Sequence, residues 1–276
     1  MKEKVELKTS VVNFYEETLK KSFKSFVPIC YHPGGVETTE VILKEVDVGK
    51  GAHVLDVASG MGDTAIYLAA NLESNVVGID LSQKMVVYAN TLAKGVELDS
   101  KITFLMADAE NLPFKDSVFD AAISECSLCL VPNMQKALSE MWRVIKLGAK
   151  IVVSDVVLKE KLPLNLNNLL SYASCIASAK TLNEYVAEFE KVGLTKIVTA
   201  DLSHQVVRQI CQYLEGRKKS PEEMVSAGES MVKSFPEKCS MKTLQTISFY
   251  LWLTGKIGYY MISGVKKDDK KPKFLR

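Results

Sequence analysis

Between residues 52 and 200 the chain settles into a rhythm that few folds can accommodate. Short β-branched runs, AHVLDVA (52–58), NVVGID (75–80), KITFLMA (101–107), VFDAAIS (118–124), KIVVSDVVL (150–158) and TKIVTA (195–200), alternate with amphipathic stretches at 63–72, 82–94, 133–146 and 181–192. Strands separated by helices of this length predict right-handed crossovers and a parallel sheet covered on both faces. Ahead of this block, 10–29 and 37–46 carry apolar residues at helical spacing on either side of the turn CYHPGG. Behind it, 204–217, 221–233 and 240–254 read as helices, and KIGYYMISGVKK (256–267) reads as a last strand added at an edge of the same sheet. No repeat or low-complexity linker interrupts the 276 residues, so the expectation is one decorated α/β domain. Its parts are an N-terminal helical lid (1–50), a core (51–202), a helical insertion (203–254) and the last strand (255–267).

Composition removes several function classes. A hydrophobic share of 47% against 25% charged is that of an ordinary globular protein with a sizeable core. The net charge of +2 comes from interleaved signs, so no nucleic-acid groove is expected. The opening MKEKVELK has no apolar run, no stretch is long enough to span a bilayer, and the basic tail KKDDKKPKFLR reads as a frayed terminus. A cytoplasmic location follows as the expectation. The six cysteines are scattered, which in a reducing compartment makes them free thiols. One C-x-x-C and three remote histidines do not make a zinc knuckle, and no metal is expected.

The strongest local signal is VLDVASGMGDTA (54–65). Gly60, Gly62 and Ala65 form G-x-G-x-x-A between a strand and a helix, and Asp80 follows Gly60 at the distance where an acid grips ribose hydroxyls. Taken alone, this suits a nicotinamide or an S-adenosylmethionine site. Asp56, near the end of the first strand, separates them: its carboxylate would repel a pyrophosphate and attract a methionyl ammonium. Asp108 closes the third strand in ADAENLPF (107–114), where a carboxylate accepts from an adenine amino group and the next backbone N–H, that of Ala109, donates to the ring. Leu81, beside Asp80, and Ser124, at the end of the fourth strand, complete the expected cofactor set.

These pieces, with VVGIDLS, FDAAIS and MWRVIKLGAKIVVSDV, resemble class I S-adenosylmethionine-dependent methyltransferases over nearly the whole length. The resemblance implies a Rossmann-like seven-stranded α/β sheet with the last strand antiparallel and the cofactor, S-adenosylmethionine, over the strands' C-terminal ends. It also implies that Gly60 and Gly62 let the backbone approach the cofactor, with Asp80 on the ribose and Asp108 near the adenine. Ala58, where many members carry glycine, is a departure.

In that fold Glu125, Cys126 and Ser127 leave the fourth strand toward the cofactor's methyl group, and Cys129 turns into the core. SECSLCLVPNMQKALSEMWRVIK and SCIASAKTLNEY (174–185) are similar to the two cysteine segments of arsenite methyltransferases. Carried over, Cys126 and Cys175 match the metalloid-binding pair, and Cys30 in ICYHPGG is a looser third thiol. Trivalent arsenic prefers thiolates, and its lone pair carries no proton to remove. The 203–254 insertion does not match those enzymes, and its Cys211 and Cys239 read as packing residues.

The expected partner is therefore a small-molecule methyl acceptor, possible in two chemistries. One is soft, thiol-bound arsenite; the other is a carbon, oxygen or nitrogen acceptor on a small organic or prenylated substrate, needing a base such as Glu125, His32 or Tyr31. A nicotinamide oxidoreductase is opposed by Asp56, and a non-enzymatic metalloid-binding module by the intact loop. Trp252 within FYLWL (249–253) reads as core packing, with a lid wall or a homodimer face as alternatives.

Overall fold

The computed structural model describes residues 2–25, 32–162, 175–176, 178–233 and 240–267; for residues 2, 3, 18–25, 233 and 241 it describes the backbone alone. Helix α1 (Lys2–Ser25) begins well before the expected position 10, and α2 (Val36–Val46) follows it. The alternating block is β1 (His53–Val57), α3 (Asp63–Leu72), β2 (Asn75–Asp80), α4 (Gln83–Gly95), β3 (Ile102–Met106), β4 (Phe119–Glu125), α5 (Met134–Val144) and β5 (Ile145–Leu158). The two-residue β6 (Lys180–Thr181), α6 (Leu182–Lys191) and β7 (Leu194–Asp201) come next. Then α7 (Ser203–Glu215), α8 (Pro221–Lys233) and α9 (Met241–Leu253) lead to β8 (Ile257–Lys266).

Local chemistry explains several boundaries. Ser82 starts α4 by accepting from Met85 N, Asn133 starts α5 by accepting from Lys136 N, and Thr181 with Glu184 forms a capping box on α6. Within the strands, apolar side chains alternate between faces. Val54, Ala121, Ile123 and Val152 belong to the core layer shared with α2–α4 and α7–α9. Leu55, Ala122, Ile151 and Val153 belong to the layer shared with α5 and α6. Both faces are covered, as a parallel sheet requires.

Seven strands run in the order β3-β2-β1-β4-β5-β8-β7, with β6 paired to β5 off that path. β1 to β5 are parallel, and β8 is antiparallel to both neighbours. The expected edge position of the last strand is corrected here: β8 is inserted between β5 and β7. The reason lies in its composition. IGYYMISGVK is buried at nearly every position, which suits an interior strand, whereas β7 alternates partly buried and exposed residues and takes the edge. No helix among the described residues is long and apolar enough to cross a membrane.

The insertion packs through one close approach. A Cβ added at Gly228 of α8 would lie 2.2 Å from Tyr250 Cβ of α9 and 3.2 Å from Thr246 O. Gly228→Ala gains ~1 kcal/mol of helix propensity but overpacks this contact, at a cost of about 1–3 kcal/mol. A lower urea midpoint is expected, with unchanged affinity for S-adenosylhomocysteine by calorimetry. An unchanged or raised midpoint would show that the two helices separate freely.

Candidate active site

The loop after β1 closes on β2 because glycine stands where no side chain fits. Gly60 and Gly62 both have left-handed backbones, at φ 54° and 85°. A Cβ on Gly62 would sit 2.4 Å from Phe104 Cζ, and one on Gly78 2.3 Å from Phe104 Cδ1, so the Phe104 ring occupies the space that both glycines leave. Ser59 N donates to Ile79 O at 2.8 Å, drawing the loop onto β2. Gly60 N then donates to Asp80 Oδ2 at 2.9 Å and Ser82 N to Asp80 Oδ1 at 2.8 Å, which fixes the acid at the mouth of the site. Ala58 takes a left-handed φ of 59° without glycine's freedom, a strain of ~1–2 kcal/mol.

Asp56 lies below this loop, only 2% exposed, and its Oδ2 has no hydrogen-bond partner among the described residues. Burial raises its carboxyl well above the usual carboxylate range, and the negative charges of Glu125, Asp63 and Asp80 push in the same direction. A buried carboxylate facing further carboxylates calls for a cation. The methionyl ammonium of S-adenosylmethionine supplies one, and the residues present fit that cofactor.

Glu125 forms the floor beside it. Its Oε2 accepts from Thr64 Oγ1 at 2.6 Å and Thr39 Oγ1 at 3.1 Å, and His32 Nε2 stands 3.6 Å away. Burial raises the Glu125 carboxyl, while His32 and the threonines pull it back. The wall opposite β1 comes from α1, through Lys8, Val11, Val12 and Tyr15. Lys8 Nζ donates to Asp108 Oδ2 at 2.6 Å and lies 3.2 Å from Glu110 Oε1, while Glu16 accepts from Ser82 Oγ at 2.8 Å and pairs with Lys84. These contacts tie α1 to both sides of the cavity.

The thiols gather at the far end. Cys126 Sγ and Cys175 Sγ are 3.5 Å apart, although 49 residues separate them. Both have left-handed backbones, at φ 49° and 61°, and neither is glycine, so the pair is held at a cost in strain. Their sulfurs and a carboxylate oxygen of Asp155 all lie within 4.8 Å of one another. Burial raises Asp155 to about 6, against the opposing hydrogen bonds from Cys129 and Val156. The Cys126 thiol is raised well above its usual value by its contact with Cys175 and by burial.

Of the residues expected from sequence, Asp56, Ala58, Gly60, Asp80, Leu81, Asp108, Ala109 and Cys126 line one cavity, and Glu125, Ser127 and His32 line it too. Gly62 stands behind the wall, against Phe104. Ser124 does not line the cavity, contrary to expectation: it is fully buried, and its Oγ donates to Val57 O at 3.0 Å to tie β4 to β1. The outward alternation of β4 turns Ser124 away once Glu125 faces the cavity. Cys30 and Tyr31 lie outside the described residues, as does Cys239. Cys129 lies in the core, as expected, and sequence reasoning missed Asp155, which sits in the apolar run KIVVSDVVL with no motif around it.

This geometry has relatives. Residues 49–215, more than half of the chain, match the family model described as a methyltransferase domain. The chain belongs to that family. The domain is of the class I S-adenosylmethionine-dependent type, and S-adenosylmethionine is the cofactor its loop and acids fit. It is similar to methyltransferase GfsG of Streptomyces halstedii, 29% identical over 62% of this chain and 63% of that protein. It is also similar to phosphoethanolamine N-methyltransferase 3 of Arabidopsis thaliana, 25% identical over 80% of this chain and 43% of that protein. The chain thus spans less than two thirds of the length of these relatives. Among solved structures, Haemonchus contortus phosphoethanolamine N-methyltransferase 2, in complex with phosphomonomethylethanolamine and S-adenosylhomocysteine, shares the fold at a TM-score of 0.69. There the identity is 20%, with coverage of 86% of this chain and 54% of that one.

Asp56→Asn tests the fit directly. Because asparagine keeps the shape of the buried carboxyl, the amide costs the fold little, but the ammonium loses its charged partner. S-adenosylhomocysteine affinity is expected to fall about tenfold or more by calorimetry, the worth of a charge-assisted hydrogen bond. Retained affinity would place the ammonium elsewhere.

Proposed function

We propose that the protein transfers a methyl group from S-adenosylmethionine to a small soft acceptor, trivalent arsenic, held by Cys126 and Cys175. The observation that carries this reading is the convergence of two strained, buried thiols at 3.5 Å, one of them on the wall of the cofactor cavity. A single buried cysteine is ordinary packing. Two held in left-handed backbone, side by side at the carboxyl end of the sheet, are a chelating pair.

When bound, S-adenosylmethionine supplies an electrophilic methyl group. The chain's own residues do the rest. Asp56, Gly60 and Asp80 bind and orient the donor, and α1 excludes water. Cys126 and Cys175 orient the acceptor so that its lone pair faces the methyl, and positioning of this kind is worth ~7–11 kcal/mol. An arsenic lone pair carries no proton, so no base is needed. Contact with Cys175 and then burial raise the Cys126 thiol, while against the lowering contact with Cys126 the Cys175 thiol is raised by Cys129 and burial, so both resting thiols are poor nucleophiles toward the donor itself. They exchange with arsenic hydroxides all the same, since each thiol proton departs with hydroxide as water.

A second reading is favoured by Glu125 and His32. They line the same cavity 3.6 Å apart and would serve as the base for an organic acceptor. The relatives named as N-, O- and C-methyltransferases fit this chemistry.

The experiment that separates the two is incubation with S-adenosylmethionine, glutathione and arsenite, followed by chromatography with arsenic-specific detection. Cys126→Ser and Cys175→Ser are each expected to lower methylated arsenic by at least a hundredfold while keeping S-adenosylhomocysteine affinity within about twofold. No methylated arsenic from the wild type would overturn the soft-acceptor reading and direct attention to Glu125.

A further inference from the structure

We propose that the helical insertion serves the cofactor site, with Gln209 of α7 as the positioning residue through which it does so. Gln209 holds the turn at residues 32–35, and that turn sets His32 against Glu125 and Asp63 on the floor of the cavity. The placement concerns the cofactor alone and is the same for a soft or an organic acceptor. It gives a task to two stretches that the methyl-transfer residues leave unused, the HPGG turn and the 203–254 segment.

Gly34 is buried, and a buried backbone N–H needs a partner. That partner comes from 175 residues away: Gly34 N donates to Gln209 Oε1 at 3.0 Å. Gln209 is itself on a fixed support, because Val206, Ile210 and Leu214 bury the other face of α7 in the core. The turn it holds is tightly made. Gly34 and Gly35 both take positive φ, 84° and 58°, and a Cβ on Gly34 would lie 2.3 Å from Thr38 Cγ2. Thr38 Oγ1 closes the turn from α2, donating to Gly35 O at 2.8 Å with Pro33 O at 3.1 Å. Beside these contacts, Arg208 of α7 pairs with Glu37 of α2 on the exposed surface.

His32 is where the turn meets the cavity. Only 7% exposed, it lines the cavity together with Glu125, Asp63 and Asp56. Its Nε2 stands 3.6 Å from Glu125 Oε2, 3.8 Å from Asp63 Oδ2 and 3.3 Å from Thr39 Oγ1, and its Nδ1 is 3.5 Å from Thr38 Oγ1. Thr39 already gives its proton to Glu125 Oε2 at 3.1 Å, so the Nε2 edge faces acceptors and acts as a donor. A donor held there favours the carboxylate form of Glu125 against the burial that raises it. The cofactor brings a cationic ammonium to this floor, and an ionised acid attracts it more strongly than a neutral one. Release of the turn moves His32 away and weakens that attraction.

Calorimetry with S-adenosylhomocysteine tests this on the full chain. Gln209→Ala slightly favours the helix and so leaves α7 folded, and it is expected to weaken binding about fivefold, the worth of one neutral hydrogen bond. Gln209→Glu keeps an acceptor and is expected to stay within twofold of the wild type. Arg208→Ala removes only the exposed ion pair and is expected to do the same. In a His32→Ala background the effect of Gln209→Ala is expected to vanish. Nuclear magnetic resonance reports His32 directly: of the three histidines, its imidazole signal is the one that His32→Ala removes. That signal is expected to shift in Gln209→Ala and to stay in place in Gln209→Glu, with melting temperatures reporting that each variant is folded. An unmoved signal, unchanged affinity in Gln209→Ala, an equal loss in Gln209→Glu or Arg208→Ala, or an undiminished loss in the His32→Ala background would each overturn the placement. All of these readouts are taken without a methyl acceptor, so the function proposed above stands or falls separately.

Discussion

The parallel pairing of β1 with β4, through Val54–Ala121, Leu55–Ala122 and Asp56–Ile123, is the constraint on which the site depends. It brings the carboxyl ends of two strands far apart in sequence to one level. Asp56 and the glycine turn leave from one of them, and Glu125 and Cys126 leave from the other. Ser124 locks the pair, its hydroxyl donating to Val57 O at the level where the strands part. The two sides of the cavity are therefore set by one ladder. A slip of a single residue would turn Asp56 and Glu125 away from the cavity together.

Burial then decides what these groups are. Asp56, Glu125 and Asp155 are all pushed up from ordinary carboxylate values, chiefly by loss of water. The consequences differ because their partners differ. Asp56 keeps an oxygen with no hydrogen-bond partner among the described residues, which suits a cationic ligand. Glu125 is satisfied by Thr39 and Thr64. Asp155 accepts from the backbone of Cys129 and Val156 and so becomes an anchor for the thiol turn. Three acids within one fold thus acquire distinct roles from the donors around them.

Residue order was enough to reveal the alternation of strands and helices, the glycine turn, Asp80 at its fixed distance, and helical sequence preceding the sheet. These are legible because each depends on spacing within a short window: period two in strands, period 3.6 in helices, and a turn that admits only glycine. The last strand was legible as a strand but not in its place. Sheet order depends on which faces must be covered, and the burial of Tyr259, Met261 and Ile262 is satisfied only between β5 and β7.

The chain by itself therefore determined the class of fold, the cofactor loop and the presence of thiols beyond the fourth strand. Only the tertiary structure decided which thiols meet. Cys126 and Cys175 come together because β5, lying between them in the chain, pairs directly with β4 and carries Asp155 beneath both. Nothing in the spacing of 49 residues encodes that contact. Proximity across a sheet is a property of strand pairing, which sums many weak long-range contacts and leaves no mark on any one segment.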